Sequence, residues 1–251
     1  MTPDPAALKQ RILDEIRARA DPVRQARERA YFKEPIRNLG VGAAGMKQIE
    51  KDVLGTPVAK ALWPSGSLAL CEALLDLRIT ESTQIGLEFL ARSARKLDPA
   101  AFDRFEHWLS TDLYDNWAST DCLCCHVVGP FLERHDGFVA RLPSWTGSPS
   151  RWLRRASAVS LVVPVRHGRF LDPAYGIAAL LLPDRADDLV QKGNGWLLRE
   201  AGDHDPERLV AFLTLHGSAV PRTTLRYAIE KFPKDRRDAL LESTRARRGC
   251  R

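Results

Sequence analysis

The sequence predicts an all-α chain built as a helical-repeat solenoid, and three observations lead there. Apolar residues recur at helical spacing along almost the whole chain, and no run shows the alternation of a strand. Helix-start residues punctuate it at intervals: Asp21-Pro22, Asp98-Pro99, Ser148-Pro149, Asp172-Pro173, Asp205-Pro206 and Pro221. Pairs of amphipathic segments return roughly every 35–45 residues without close identity between copies, as in a degenerate repeat. A solenoid has a concave face on which a ligand would lie. An irregular helical bundle is the architectural alternative.

Taken in order, the first helix is expected from Asp4-Pro5, with Ala7, Ile12, Leu13 and Ile16 on one side. A second follows Asp21-Pro22 and runs towards Tyr31. The loop 40-GVGAAG-45 separates this pair from a helix through Met46, Ile49 and Val53. Further helices are expected over 65–78, 83–96, 98–110, 116–133, 137–142, 149–166, 172–182, 186–201, 205–216, 221–232 and 235–247. No long linker divides them. Residues 1–251 are therefore expected to form one domain, with 247–251 a frayed basic tail.

Composition narrows the partners. The chain has 251 residues, a net charge of +6 and an isoelectric point near 9.2, which favours polyanions. Arginine heavily outnumbers lysine, which suits bidentate phosphate contacts, although a biased genome would give the same ratio. The N-terminal stretch MTPDPAALKQRILDEI has no signal-peptide core, and the longest apolar runs fall far short of a membrane span. A cytosolic protein is expected. Five cysteines, an odd number, argue against a disulfide framework there. Cys122, Cys124 and Cys125 have the wrong spacing for paired-cysteine zinc sites. They are expected to fill a helix interface as small apolar residues, and no metal is expected. Cys250 lies in the tail, with no role assigned.

Three places could carry chemistry. In 116-NWASTD-121, Trp117 and Asp121 stand one turn apart on one helix face. The bland alternative is a core-edge tryptophan beside a solvated aspartate. In 151-RWLRRASAVSLVV-163, Trp152 and Arg155 share a face with Arg151 and Arg154 beside them. These arginines crowd the first, exposed turns of a helix whose second half is apolar. They suit phosphate clamping or simply a solvated face. In 191-QKGNGWLLRE-200, Lys192, Trp196 and Arg199 form one stripe, cations flanking an indole. Gly193 and Gly195 cost about 1 kcal/mol each against alanine inside a helix, so something is expected to pack closely there.

With these residues in view, the sequence resembles the AlkD-like family of DNA alkylation repair enzymes, alkylpurine DNA glycosylases built of HEAT-like repeats. The resemblance spans most of the chain. It is strongest in YFKEPIRNLGV (31–41), NWASTD (116–121), RWLRRASAV (151–159) and VQKGNGWLLRE (190–200). It implies a right-handed superhelix of antiparallel helix pairs with a basic concave face. It also implies Asp121 as the catalytic carboxylate, with Trp117 and Trp196 as aromatics against the sugar of the damaged nucleotide. Arg155 would contact the DNA backbone, with Trp152, Arg151, Arg154, Lys192 and Arg199 as further DNA-binding residues. The loop Gly42-Ala43-Ala44-Gly45 departs from the family's more polar or basic pattern, which bears on an N-terminal DNA contact and not on the cleavage site.

The substrate implied is duplex DNA carrying N3- or N7-alkylated purines, handled by a monomer without cofactor. Such a purine is already cationic, so it leaves without a strong general acid. The enzyme must instead stabilise the sugar cation, and the family does so without flipping the base. The competing readings are a non-catalytic HEAT-like-repeat DNA-binding protein and a helical-repeat scaffold for protein partners.

Overall fold

Proline and aspartate set where many of the helices begin. The computed structural model describes residues 5–111 and 113–245. The expected Asp4 start, Cys250 and the 247–251 tail lie outside these. Between α1 (Pro5–Ala18) and α2 (Pro22–Tyr31), the Asp21 carboxylate accepts from the N–H groups of Val23 at 2.9 Å and Arg24 at 3.1 Å. α3 (Ala43–Ile49) runs into a π-helical turn, Glu50–Leu54, followed by α4 (Pro57–Leu62), α5 (Ser67–Leu75) and α6 (Thr80–Ala91). Then come α7 (Ala101–Ser110), α8 (Trp117–Leu123), a second π-helical turn at Cys124–Val128, and α9 (Gly129–Arg134). The rest are α10 (Leu142–Trp145), α11 (Arg151–Val159), α12 (Val162–Arg166), α13 (Leu171–Leu181), α14 (Asp188–His204), α15 (Pro206–His216), α16 (Arg222–Ala228) and α17 (Lys234–Ser243). Among the described residues there is no strand, and no helix is long and apolar enough to cross a membrane.

Two expected helices are divided and one further helix is present. The span 116–133 is interrupted by the π turn. The span 149–166 begins at Arg151 and divides into α11 and α12, because Pro164 has no N–H to offer the Ser160 carbonyl. α4 was not expected, although Thr56 and Pro57 form an ordinary helix start: the Thr56 hydroxyl accepts from Ala59 N–H.

The chain divides into two compact units, one ending at Phe131 and the other beginning at Leu132. In the first unit, the apolar sides of α1, α3, α5 and α6 meet in a core that includes Ile12, Ile16, Ile49, Val53, Leu70, Leu74, Ile85 and Phe89. α2 buries no residue of its own. A polar lock anchors the segment that follows it. Glu81, buried on α6, accepts through Oε1 from the N–H groups of Leu39 (2.9 Å), Gly40 (2.7 Å) and Val41 (3.1 Å). Gly40 makes this cup possible. Its φ is +78°, and a Cβ there would sit 2.3 Å from the Asp21 carbonyl oxygen.

In the second unit, Val159, Val162, Ala178, Leu181, Leu197, Leu198, Leu213 and Leu225 are buried. Around them, ion pairs join residues 28 to 36 positions apart: Arg166–Glu200 at 2.8 Å, Arg208–Asp172 at 2.6 Å, Arg236–Glu207 at 2.7 Å, and Lys231–Asp203. Three of these separations are shorter than the 35–45 residues expected of the repeat. Gly193 and Gly195 have their close packing, but from neighbouring helices. A Cβ on Gly193 would meet Val159 Cγ2 at 3.2 Å and Arg155 at 3.3 Å. One on Gly195 would meet Tyr227 Cβ at 2.5 Å and the Thr224 carbonyl oxygen at 2.7 Å. The two glycines let α14 lie tightly against α11 and α16.

Candidate active site

α8 opens on Asn116, whose buried side chain accepts from Ser119 N–H at 2.9 Å. That cap fixes Trp117 as the first helical residue, and Asp121 follows one turn later on the same face. Both are half-buried. The Trp117 ring is held from the side by the end of α2. Phe32 stacks on it with centroids 5.5 Å apart and planes at 24°, and Tyr31 meets it at 6.3 Å and 64°. Tyr31 and Phe32 also contact each other edge-on at 5.6 Å, and Tyr31 is 72% exposed. Three rings thus cluster at the start of α8, one turn before Asp121. Such a surface can take a planar or sugar-like group against the rings while a carboxylate meets developing positive charge.

One residue further on, Cys122 closes on His126, with Sγ and Nδ1 3.7 Å apart, and His126 Nδ1 lies 3.4 Å from Glu88 Oε1 of α6. Burial, then the nearby acids Glu88 and Asp121, push the Cys122 thiol up to about 12. The Glu88 carboxylate holds His126 above the ordinary imidazole value, and His126 holds Glu88 below the ordinary carboxylate value. Cys124 is fully buried, as expected of a small apolar residue. Cys122 and Cys125 are only half-buried, so the interface reading fits one of the three.

In the second unit, Trp196 is half-buried on α14, and its Nε1 donates to Glu200 Oε1 at 3.0 Å. Glu200 is 3% exposed and binds Arg166 Nε at 2.8 Å and Arg199 Nη2 at 3.2 Å. Burial pushes its carboxyl up, but Arg166, with Lys231 and Arg199, outweighs burial and leaves it below the ordinary value. Arg199 also pairs with Glu230. Lys192 pairs with Asp188 at 2.7 Å, which holds the ammonium above its ordinary value.

The arginines of α11 are not arrayed as the sequence suggests, and the expectation of three exposed arginines is corrected. Only Arg151 is exposed, with Nε donating to Asp187 at 2.9 Å. Arg154 turns inward: Nε donates to Asp184 at 2.6 Å, Nη2 to Asp187 at 3.2 Å, and Nη1 to the Ser148 and Pro149 carbonyls. Arg155 is 5% exposed and donates to the Leu189 carbonyl, and Trp152 is buried too. The cause is Asp187, the N-cap of α14, whose other oxygen accepts from Leu189 and Val190 N–H. The arginine cluster braces that cap.

Comparison with known proteins decides the family. The family model described as DNA alkylation repair enzyme matches residues 12–232, most of the chain. The chain belongs to the DNA alkylation repair enzyme family. Among solved structures, one described as a predicted DNA alkylation repair enzyme from Enterococcus faecalis superposes with a TM-score of 0.72. It is 17% identical and covers 86% of this chain and 98% of its own, a likeness of fold. No curated protein matches.

Within this DNA alkylation repair family member, the structure brings Trp117 together with Asp121, and Trp196 together with Lys192 and Arg199 on α14. Sequence reading missed Tyr31 and Phe32 as partners of Trp117, although both stand in the YFKEPIRNLGV motif. It missed Glu200 beneath Trp196, although the four-residue spacing was visible. It also missed Glu88 and His126, although Cys122 and His126 share that same spacing.

Proposed function

We propose that this DNA alkylation repair enzyme is a DNA glycosylase, hydrolysing the N-glycosidic bond of cationic N3- and N7-alkylpurines in duplex DNA. The observation that carries this reading is the Asp121 carboxylate one turn from the half-buried Trp117 ring on α8. As the C1′–N bond breaks, its electron pair returns to the purine and neutralises it, and positive charge moves onto the sugar. A carboxylate ~4 Å from that charge, at an effective dielectric of ~20, contributes about 4 kcal/mol, on the order of a thousandfold in rate. Asp121 then orients water for attack at C1′, and the water's proton passes to the carboxylate or to solvent, as in glycoside hydrolysis.

Trp117 offers a negative ring face to that cation, worth roughly 0.5–2 kcal/mol, and Trp196 is assigned to the sugar of the damaged nucleotide by the family resemblance alone. Arg151, Lys192 and Arg199 hold phosphates. Arg155 would have to leave the Leu189 carbonyl to do so, and Arg154 braces the start of α14 through Asp187. In this reading the base stays stacked and is attacked from the sugar side, so bulky adducts are tolerated. We also place the protein in the cytosol as a monomer without cofactor, its chain built of HEAT-like helix pairs. Ion pairs that recur between residues 28 to 36 apart are compatible with helix pairs of somewhat shorter period than the sequence suggests.

The test is release of N7-methylguanine and N3-methyladenine from methylated duplex DNA. The wild type releases both, and Asp121→Asn, nearly the same shape, is slower by about a hundredfold, or ~3 kcal/mol. If neither protein releases base while both bind the DNA equally, the enzyme reading fails and a non-catalytic DNA-binding protein takes its place.

A further inference from the structure

We propose that Glu88, Cys122 and His126 form a binding site for a zinc-like divalent metal ion, made of residues that the reaction above does not use. One carboxylate oxygen, one sulfur and one imidazole nitrogen from α6, α8 and the following π turn converge within 4.8 Å of one another. Around a tetrahedral zinc with its usual bond lengths, a nitrogen–oxygen edge measures about 3.4 Å and a nitrogen–sulfur edge about 3.6 Å. The corresponding distances here are 3.4 Å and 3.7 Å. A separation of 3.4 Å is long for a charged nitrogen–oxygen hydrogen bond, which settles near ~2.8 Å. It is close to the edge that a shared ion would span.

The ligand set chooses the ion. A thiolate with an imidazole selects zinc and its neighbours over magnesium or calcium, which prefer oxygen alone. Cys122 is half-buried and would release its thiol proton to solvent on binding. A divalent ion, one thiolate, one carboxylate and a neutral imidazole then sum to zero charge. His126 is exposed, so the fourth position opens to water. The π turn that carries His126 is a kind of helix irregularity frequent at functional sites.

Cobalt(II) is a coloured stand-in for zinc. Full-length protein, stripped by a chelator, is titrated with cobalt(II) and followed by absorption. One ion per chain, with a sulfur-to-cobalt charge-transfer band that added zinc removes, is the expected result. Cys122→Ser abolishes the band and Cys125→Ser keeps it. His126→Gln, at an exposed position, weakens binding by about tenfold or more, and Glu88→Gln weakens it in the same direction. Circular dichroism checks that each variant is folded, and His126→Gln and Glu88→Gln decide the matter should Cys122→Ser not fold. Absence of the band in the wild type, its survival in Cys122→Ser, its loss in Cys125→Ser, or unchanged affinity in His126→Gln would overturn the site.

Discussion

Glu200 illustrates how a single carboxylate holds a candidate site residue in place. It accepts the indole N–H of Trp196 and binds Arg166 and Arg199 from a nearly closed position. Its folded carboxyl lies below the ordinary value of 4.5, so its stabilising effect is complete above about pH 5 and fades as pH falls through the depressed value. Glu200→Gln is expected to cost about 1–3 kcal/mol at neutral pH. Its melting temperature should fall less than that of the wild type between pH 6 and pH 3, which thermal unfolding across that range checks. Equal falls would remove Glu200 from this role. Asp121 and Trp117 could be singled out in the sequence because four residues is one helical turn. The rings that hold Trp117 could not, since Tyr31 and Phe32 come from another helix far back in the chain. Arg154 likewise reads as exposed until Asp184 and Asp187, some thirty residues on, are folded against it.

Among the elements, α14 is set by its two glycines. At Gly195 an added methyl group meets backbone and Cβ atoms of α16 that cannot move independently. At Gly193 it meets the tips and stems of side chains. Gly195→Ala is therefore expected to destabilise by about 1–3 kcal/mol. Gly193→Ala should fall near neutral, because helix propensity returns about 1 kcal/mol. Denaturant midpoints of the two variants test the order, and the reverse order would refute the packing argument. Sequence reading found most helices because aspartate and proline mark helix starts whatever surrounds them. It missed the π turns, since a widened turn depends on what packs against it. The same limit applies to the glycines: the sequence shows that something lies close, and the structure shows that it is another helix.

For the whole molecule, a net charge of +6 matters through its partners. If DNA is the substrate, affinity should fall steeply with salt, by roughly 0.9 in log–log slope for each phosphate neutralised. Replacing Arg151, Lys192 and Arg199 together by glutamine should flatten that slope by about 2–3, measured by fluorescence anisotropy on a fixed duplex. An unchanged slope would move the DNA-binding face elsewhere. All-helical architecture and family membership were both within reach of the sequence, while the division at Phe131 had no linker to announce it. The Glu81 lock bears on how the chain is made. Residues 39–41 leave the ribosome some forty residues ahead of the carboxylate that gathers their N–H groups. Until α6 emerges, those groups have only water to bind, and α2 has no buried side chain of its own to hold it down. The cup at residues 39–41 is thus completed only when a carboxylate some forty residues later in the chain has been made.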